Sequence, residues 1–113
     1  MHEMSLTESL VELIENERAK QGFTRVCVVR LAIGVLGHVE PDAMRFCFDA
    51  VARGTIAEGA RLDIRVMPGE AWCLDCAKTV IVSERGAACP ECGRGRLQVN
   101  GGDDLRLTEL EVD

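Results

Sequence analysis

The 113-residue sequence predicts an α+β fold, with two helices packed on a small three-stranded sheet and a four-cysteine module inserted before the last strand. Three observations point there. Apolar residues recur with a 3.6-residue period in two segments. They cluster or alternate with strand-like spacing in three others. Between the second and third of those strands lie two Cys-x-x-Cys pairs in a stretch richer in glycine and poorer in large aliphatics.

Residues 4–20 form the first predicted helix. Leu6, Leu10, Leu13 and Ile14 fall at i, i+4, i+7 and i+8, on one face. Ser5 followed by Glu8 has capping-box spacing and supplies a start, and Gly22 supplies a stop. Glu8, Glu12 and Glu15 lie largely off the stripe and read as a solvated face. Residues 25–33 form a short buried strand rich in β-branched residues, with Cys27, Val29, Leu31 and Ile33 on one face. A loop with Gly34 and Gly37 leads to Pro41, which suits the first position of a helix. In that second helix Met44, Cys47, Phe48 and Val51 recur at i, i+3, i+4 and i+7, and Gly54 ends it. Leu62, Ile64 and Val66 alternate with Asp63 and Arg65 in a half-buried strand closed by Pro68-Gly69. The last strand carries Leu105 and Leu107 in period two and changes phase at Leu110 and Val112, as a bulge or a fraying end would. The shifts in composition divide the chain into an α/β domain, residues 1–69 plus 102–113, and a cysteine module, residues 70–101. Gly69, Gly101 and Gly102 flank that module and suit a hinge.

The charge balance excludes several functions. Thirteen basic against nineteen acidic side chains leave a formal charge of −6, the wrong sign for a phosphate-binding surface. Four aromatic residues, Phe23, Phe46, Phe48 and Trp72, are too few for a base-stacking platform. Two histidines, His2 and His38, cannot build a zinc hydrolase that needs several. No apolar run approaches the roughly 18 residues of a membrane span, and Glu3, Glu8 and Glu12 spoil a secretory signal. The expected compartment is therefore a reducing cytoplasm, where cysteines stay free, bind metal or do redox work.

Cys73-Leu-Asp-Cys76 and Cys89-Pro-Glu-Cys92, with twelve residues between them, are paired knuckles. Each lets two thiolates converge on one ion while backbone amides turn toward sulfur. Four such donors suit tetrahedral zinc at about 2.3 Å. The gap is slightly shorter than the roughly 15–20 residues of the common pattern and still accommodates two short hairpins. Cys-Pro-Glu-Cys-Gly is zinc-ribbon-like, because Gly93 can take positive φ after the knuckle. Four thiolates leave no open position for catalysis, so the zinc is structural. Iron in a rubredoxin-like site is an alternative that leaves the rest of the chain unexplained. A dithiol–disulfide centre is another, though metal spacing favours an ion. Cys27 and Cys47 sit on apolar faces and read as packing residues.

Met1-His2-Glu3 offers a second kind of chemistry. A bulky second residue should preserve Met1, so the free amine belongs to it. That amine, the deprotonated amide nitrogen of His2 and the His2 imidazole can form adjoining chelate rings, with three nitrogens nearly in one plane. Such a set suits Ni(II) or Cu(II) rather than zinc. A frayed, exposed terminus is the alternative.

With these features on view, the chain resembles the HypA/HybF family, the nickel metallochaperones of [NiFe]-hydrogenase maturation. The matching features are Met1-His2-Glu3, Ser5-Leu6 at the start of a helix, Cys73-x-x-Cys76 with Cys89-x-x-Cys92, the length and the order of elements. The resemblance implies a carrier rather than an enzyme, with structural Zn(II) and Ni(II) as transient cargo. It implies a GTPase maturation partner and delivery to the hydrogenase large subunit, with urease maturation an option in some relatives and a homodimer left open. It makes His2 the key nickel ligand, joined by the Met1 amine and nearby backbone nitrogens. Glu3 is left to act through its backbone or its carboxylate. Glu40 reads better as a helix-start acid, and His38 as an exposed loop histidine. A zinc-ribbon adaptor without a nickel role is the alternative function. With zinc on four thiolates the charge becomes about −8, which suggests a partner with a basic patch.

Overall fold

A computed structural model describes residues 2–113. The elements run α1 (Glu3–Gln21), β1 (Val26–Gly34), a 3₁₀ turn (Val35–Gly37), α2 (Pro41–Ala52), β2 (Arg61–Met67), β3 (Gly69–Cys73), β4 (Lys78–Val82), β5 (Leu97–Gly101) and β6 (Leu105–Val112). They form two three-stranded sheets, ordered β2-β1-β6 and β4-β3-β5. The α+β class holds, with both helices and the inserted cysteine module in place. The fold divides into two compact units. One comprises Met1–Leu31, Val39–Arg65 and Leu107–Asp113, and the other Ala32–His38 and Val66–Arg106. Three of the four unit boundaries fall within β1, β2 and β6, and the fourth, between His38 and Val39, falls in the loop before α2.

In the first unit, α1 packs on α2. The buried stripe of α1 is Glu3, Thr7, Leu10, Val11 and Ile14. It is rotated from the expected one: Leu13 is 44% exposed and Leu6 only half-buried. Leucine spacing alone misses this, because buried polar residues complete the face. Thr7 manages burial by donating its hydroxyl to the carbonyls of Glu3 and Met4, at 3.0 and 2.8 Å. The expected capping box at Ser5 and Glu8 is not the helix start. His2 is the N-cap, without a side-chain cap bond, and the first ladder bond is Leu6 N–H to His2 C=O. Gly22 does end the helix, at φ 74°, donating its N–H to Arg18 C=O.

Pro41 occupies the first turn of α2, whose buried residues are Met44, Phe48 and Ala52. Cys47 and Val51 are half-buried, at the edge of that stripe. The helix stops at Ala52 with Arg53 as C-cap, one residue ahead of Gly54. β1 is central in its sheet and buried along nearly its whole length, with only Cys27 and Arg30 half-buried. Cys27 is therefore not a core residue. Its thiol contacts the Asp113 carboxylate at 3.5 Å and is pushed above its ordinary pKa, first by burial and then by that carboxylate. Burial fades along β2, from Leu62 at 8% exposed to Val66 at 52%.

In the second unit, β3 pairs antiparallel with both β4 and β5, with a bulge between Glu70 and Ala71 on the β5 side. Gly69 begins β3 and does not close the preceding strand. Its core is Leu36, Ala71, Cys73, Val80, Val82 and Cys89. Leu36 comes from the two-glycine loop and was not expected there. The glycine before it explains its placement: a Cβ on Gly34 would lie 2.1 Å from Gly102 C, so only glycine lets the two backbones pass.

The neighbouring phenylalanines of α2 have opposite fates, 1% exposed for Phe48 and 76% for Phe46. Phe48→Ala should cost about 3–5 kcal/mol of unfolding free energy, and Phe46→Ala no more than about 0.5. Urea titration of both variants measures the difference.

Candidate metal centres

The four knuckle cysteines are the one group of three or more potential metal-ligating side chains brought together among the described residues. β3 ends at Cys73 and β4 begins at Lys78, so the first knuckle is a hairpin turn held by the β3–β4 ladder. The second knuckle lies in the chain between β4 and β5, and Cys73 pairs in register with Leu97 of β5. Both knuckles close the same way. Ala77 N–H donates to Cys73 C=O and Gly93 N–H to Cys89 C=O, each at 2.8 Å. Ala77 and Gly93 both take positive φ, 52° and 75°. Gly93 was legible as such. Ala77 was not, since alanine adopts this conformation only at a cost. Backbone amides then face sulfur, Cys76 N–H to Cys73 Sγ at 3.3 Å and Glu91 N–H to Cys89 Sγ at 3.4 Å.

The geometry fits zinc. All four Sγ atoms lie within 4.8 Å of one another. Cys73 to Cys92 is 3.8 Å and Cys76 to Cys89 is 3.9 Å. A tetrahedron with Zn–S bonds of about 2.3 Å has edges of about 3.8 Å. Cys73, Cys76, Cys89 and Cys92 would hold Zn(II), which ties the two knuckles into one structural unit. Cys73 and Cys89 are buried, Cys76 half-buried and Cys92 exposed.

At the other end of the sequence, His2 is exposed and its side chain makes no cap bond. Glu3 is buried, and its Oε2 accepts the Glu40 backbone N–H at 3.2 Å. The carboxylate thus pins the start of α1 to the start of α2. The side chain of Glu40 in turn accepts Ala43 N–H at 2.9 Å and caps α2, the role its position suggested. His38 is exposed, at φ 58° after the 3₁₀ turn. The Met1 amine, the expected first nickel donor, lies outside the described residues.

Without metal, the four thiols do not share one acidity. Backbone N–H bonds from Cys92 and then Glu91 hold the Cys89 thiol down at about 7, against the opposing effect of burial. The Cys76 thiol is pushed up to about 12, chiefly by its hydrogen bond with Cys73. Zinc displaces thiol protons, so its apparent affinity rises with pH. Well above pH about 7 the Cys89 thiol is mostly ionised, so zinc binding should release up to one proton fewer there than well below pH about 7. Calorimetry in buffers of different ionisation enthalpy measures that step.

Comparison with known proteins agrees with this architecture. A family model for HypA, described as "Hydrogenase/urease nickel incorporation, metallochaperone", matches residues 1–112. Proteins named "Hydrogenase maturation factor HypA" from Methylocella silvestris and Rhodopseudomonas palustris are each 60% identical over 113 residues, the whole of both chains. The one from Azotobacter vinelandii is 53% identical, again over the whole of both chains. The solution structure of the Ni metallochaperone HypA from Helicobacter pylori shares the fold, with a TM-score of 0.72 at 24% identity over 99% of this chain and 97% of that one. With its family model matched almost end to end and its four cysteines placed for zinc, the chain belongs to the HypA family of nickel metallochaperones.

Proposed function

We propose that this chain binds Ni(II) at its amino terminus and delivers it to the large subunit of a [NiFe]-hydrogenase, in the cytoplasm and together with a GTPase maturation partner. The donors in this reading are the Met1 amine and the His2 amide nitrogen and imidazole, with Glu3 completing the site through its backbone or its carboxylate. Residues 1–69 plus 102–113 serve nickel, and residues 70–101 serve zinc. The family description spans hydrogenase and urease, and the relatives named as hydrogenase maturation factors support that destination.

The observation that carries the reading is the exposed His2 one residue ahead of a helix that begins at Glu3. The first amides of a helix have no intrahelical carbonyl partner, so metal binding at the His2 nitrogen breaks no ladder bond. Three nitrogen donors nearly in one plane suit Ni(II) or Cu(II) rather than the zinc held by thiolates. Glu3, fixed on the Glu40 amide, keeps the adjoining backbone in place. A site at the end of a chain has few donors held by rigid structure, which suits cargo that must leave.

The test compares nickel titration of the native chain, a His2→Ala chain and a chain extended before Met1, each carrying zinc. The native chain should bind nickel tightly. Both alterations should weaken binding by more than the 10–100-fold typical of a lost outer-shell partner, with zinc content unchanged. Equal tight binding in all three would sink the amino-terminal site and favour the zinc-ribbon adaptor.

A further inference from the structure

Asp75 lies between Cys73 and Cys76, and its carboxylate reaches outside its own knuckle. Oδ1 accepts from Arg94 Nη1 at 3.3 Å and from Arg96 Nη1 at 3.2 Å. Both arginines belong to the chain that leaves the second knuckle and enters β5. The backbones of the two segments also meet, Leu74 N–H donating to Arg96 C=O at 3.0 Å, while Cys89 N–H to Arg94 C=O at 2.8 Å closes the second knuckle on its own exit. The Asp75 side chain is only 13% exposed, and its Oδ2 is the one buried side-chain oxygen without a hydrogen-bond partner among the described residues. A carboxylate so shielded is tolerable only beside cations.

We infer that Asp75 is a positioning residue of the zinc centre, clamping the first knuckle to the chain leaving the second and so setting how fast the four thiolates give up zinc. The inference rests on the zinc reading and is independent of the nickel one. Each knuckle contributes two thiolates, so release requires the pairs to separate. Cys92 is the exposed ligand, and Arg94 follows it by two residues. Displacing the second knuckle from Cys73 draws Arg94 away from Asp75, while Arg96 stays tied to the first knuckle through Leu74, so the shielded carboxylate loses one of its two cations. Opening therefore includes breaking the clamp. The Lys78–Glu91 pair, at 2.6 Å, also bridges the two knuckles, but its side chains are 52% and 50% exposed, so water replaces it at little cost. The clamp also keeps two guanidiniums beside a centre whose net charge with zinc is about −2.

The experiment mixes the full-length, zinc-loaded chain with excess 4-(2-pyridylazo)resorcinol and follows release by absorbance, after zinc content has been measured. Asp75→Asn should release zinc about tenfold faster, equivalent to about 1.4 kcal/mol. Arg94→Ala with Arg96→Ala should accelerate release to the same extent, and adding Asp75→Asn to that pair should add nothing. Glu91→Gln should stay within about twofold of the unaltered chain. Salt should bring the Asp75→Asn and unaltered rates together, which a purely steric role would not do. An Asp75→Asn rate within about twofold of the unaltered one, or accelerations that multiply in the triple variant, overturns the inference. Should Asp75→Asn fail to retain zinc, the arginine pair decides alone. Its side chains are 70% and 66% exposed, so their loss spares the fold. Unchanged release from that variant overturns the clamp, and faster release supports it.

Discussion

Four sulfur atoms within 4.8 Å of one another cannot all be thiolates unless a cation sits among them. Everything in the second unit answers to that constraint. The buried cluster around the knuckles is small: Leu36, Ala71, Val80 and Val82, with Cys73 and Cys89 themselves part of it. So small a cluster does not offset the chain entropy of three short strands and two tight turns. Zinc supplies what is missing, since structural sites in small modules contribute about 10–16 kcal/mol of apparent binding energy at neutral pH. The strain of Ala77 at positive φ is tolerable within the same balance, because the turn that requires it aims the Cys73 and Cys76 sulfurs at one point.

The amino-terminal end obeys different physics. There the fixed element is a buried carboxylate, not an ion. Glu3 is taken out of water and accepts a backbone N–H from Glu40, while Glu40 uses its own carboxylate to cap α2. Two acidic side chains close in space thus avoid competing, each engaged with a helix-start amide whose positive dipole end favours it. His2 stays exposed beside this anchored backbone. On the proposed nickel reading, the anchored Glu3 backbone presents the exposed His2 imidazole to a partner.

The fold was legible where one residue type carries one physical task. Both helices, the three strands β1, β2 and β6, and the four zinc ligands follow from apolar period and from Cys-x-x-Cys spacing, whereas the individual strands β3, β4 and β5 of the cysteine module do not. Gly22 and Gly93 announced their positive φ because glycine meets no Cβ penalty there. What stayed hidden involves residues that work against type. Thr7 and Glu3 sit on the buried stripe of α1, which turned the expected face by one position and left Leu13 outside. Ala77 does a glycine's work. Leu36 leaves a loop to fill the core of the cysteine module. The Glu3–Glu40 contact and the grip of Asp75 on Arg94 and Arg96 join residues far apart in sequence, and no local pattern encodes such pairs.

If nickel binds at the amino terminus as proposed, the chain separates a metal that must stay from one that must leave by the chemistry of its donors. Thiolates are soft, negative and convergent, and burial of Cys73 and Cys89 denies competitors access. The amine, amide and imidazole nitrogens proposed for nickel carry less charge and prefer a planar arrangement. Zinc placed among the nitrogens would lose its tetrahedron. Nickel placed among the four sulfurs would meet a cage held at tetrahedral spacing by two hairpin turns and by β3's pairing with β4 and β5. On the proposed reading, geometry and donor type together would keep the two ions apart, so that the structural site does not trap the cargo and the cargo site does not take the module's zinc.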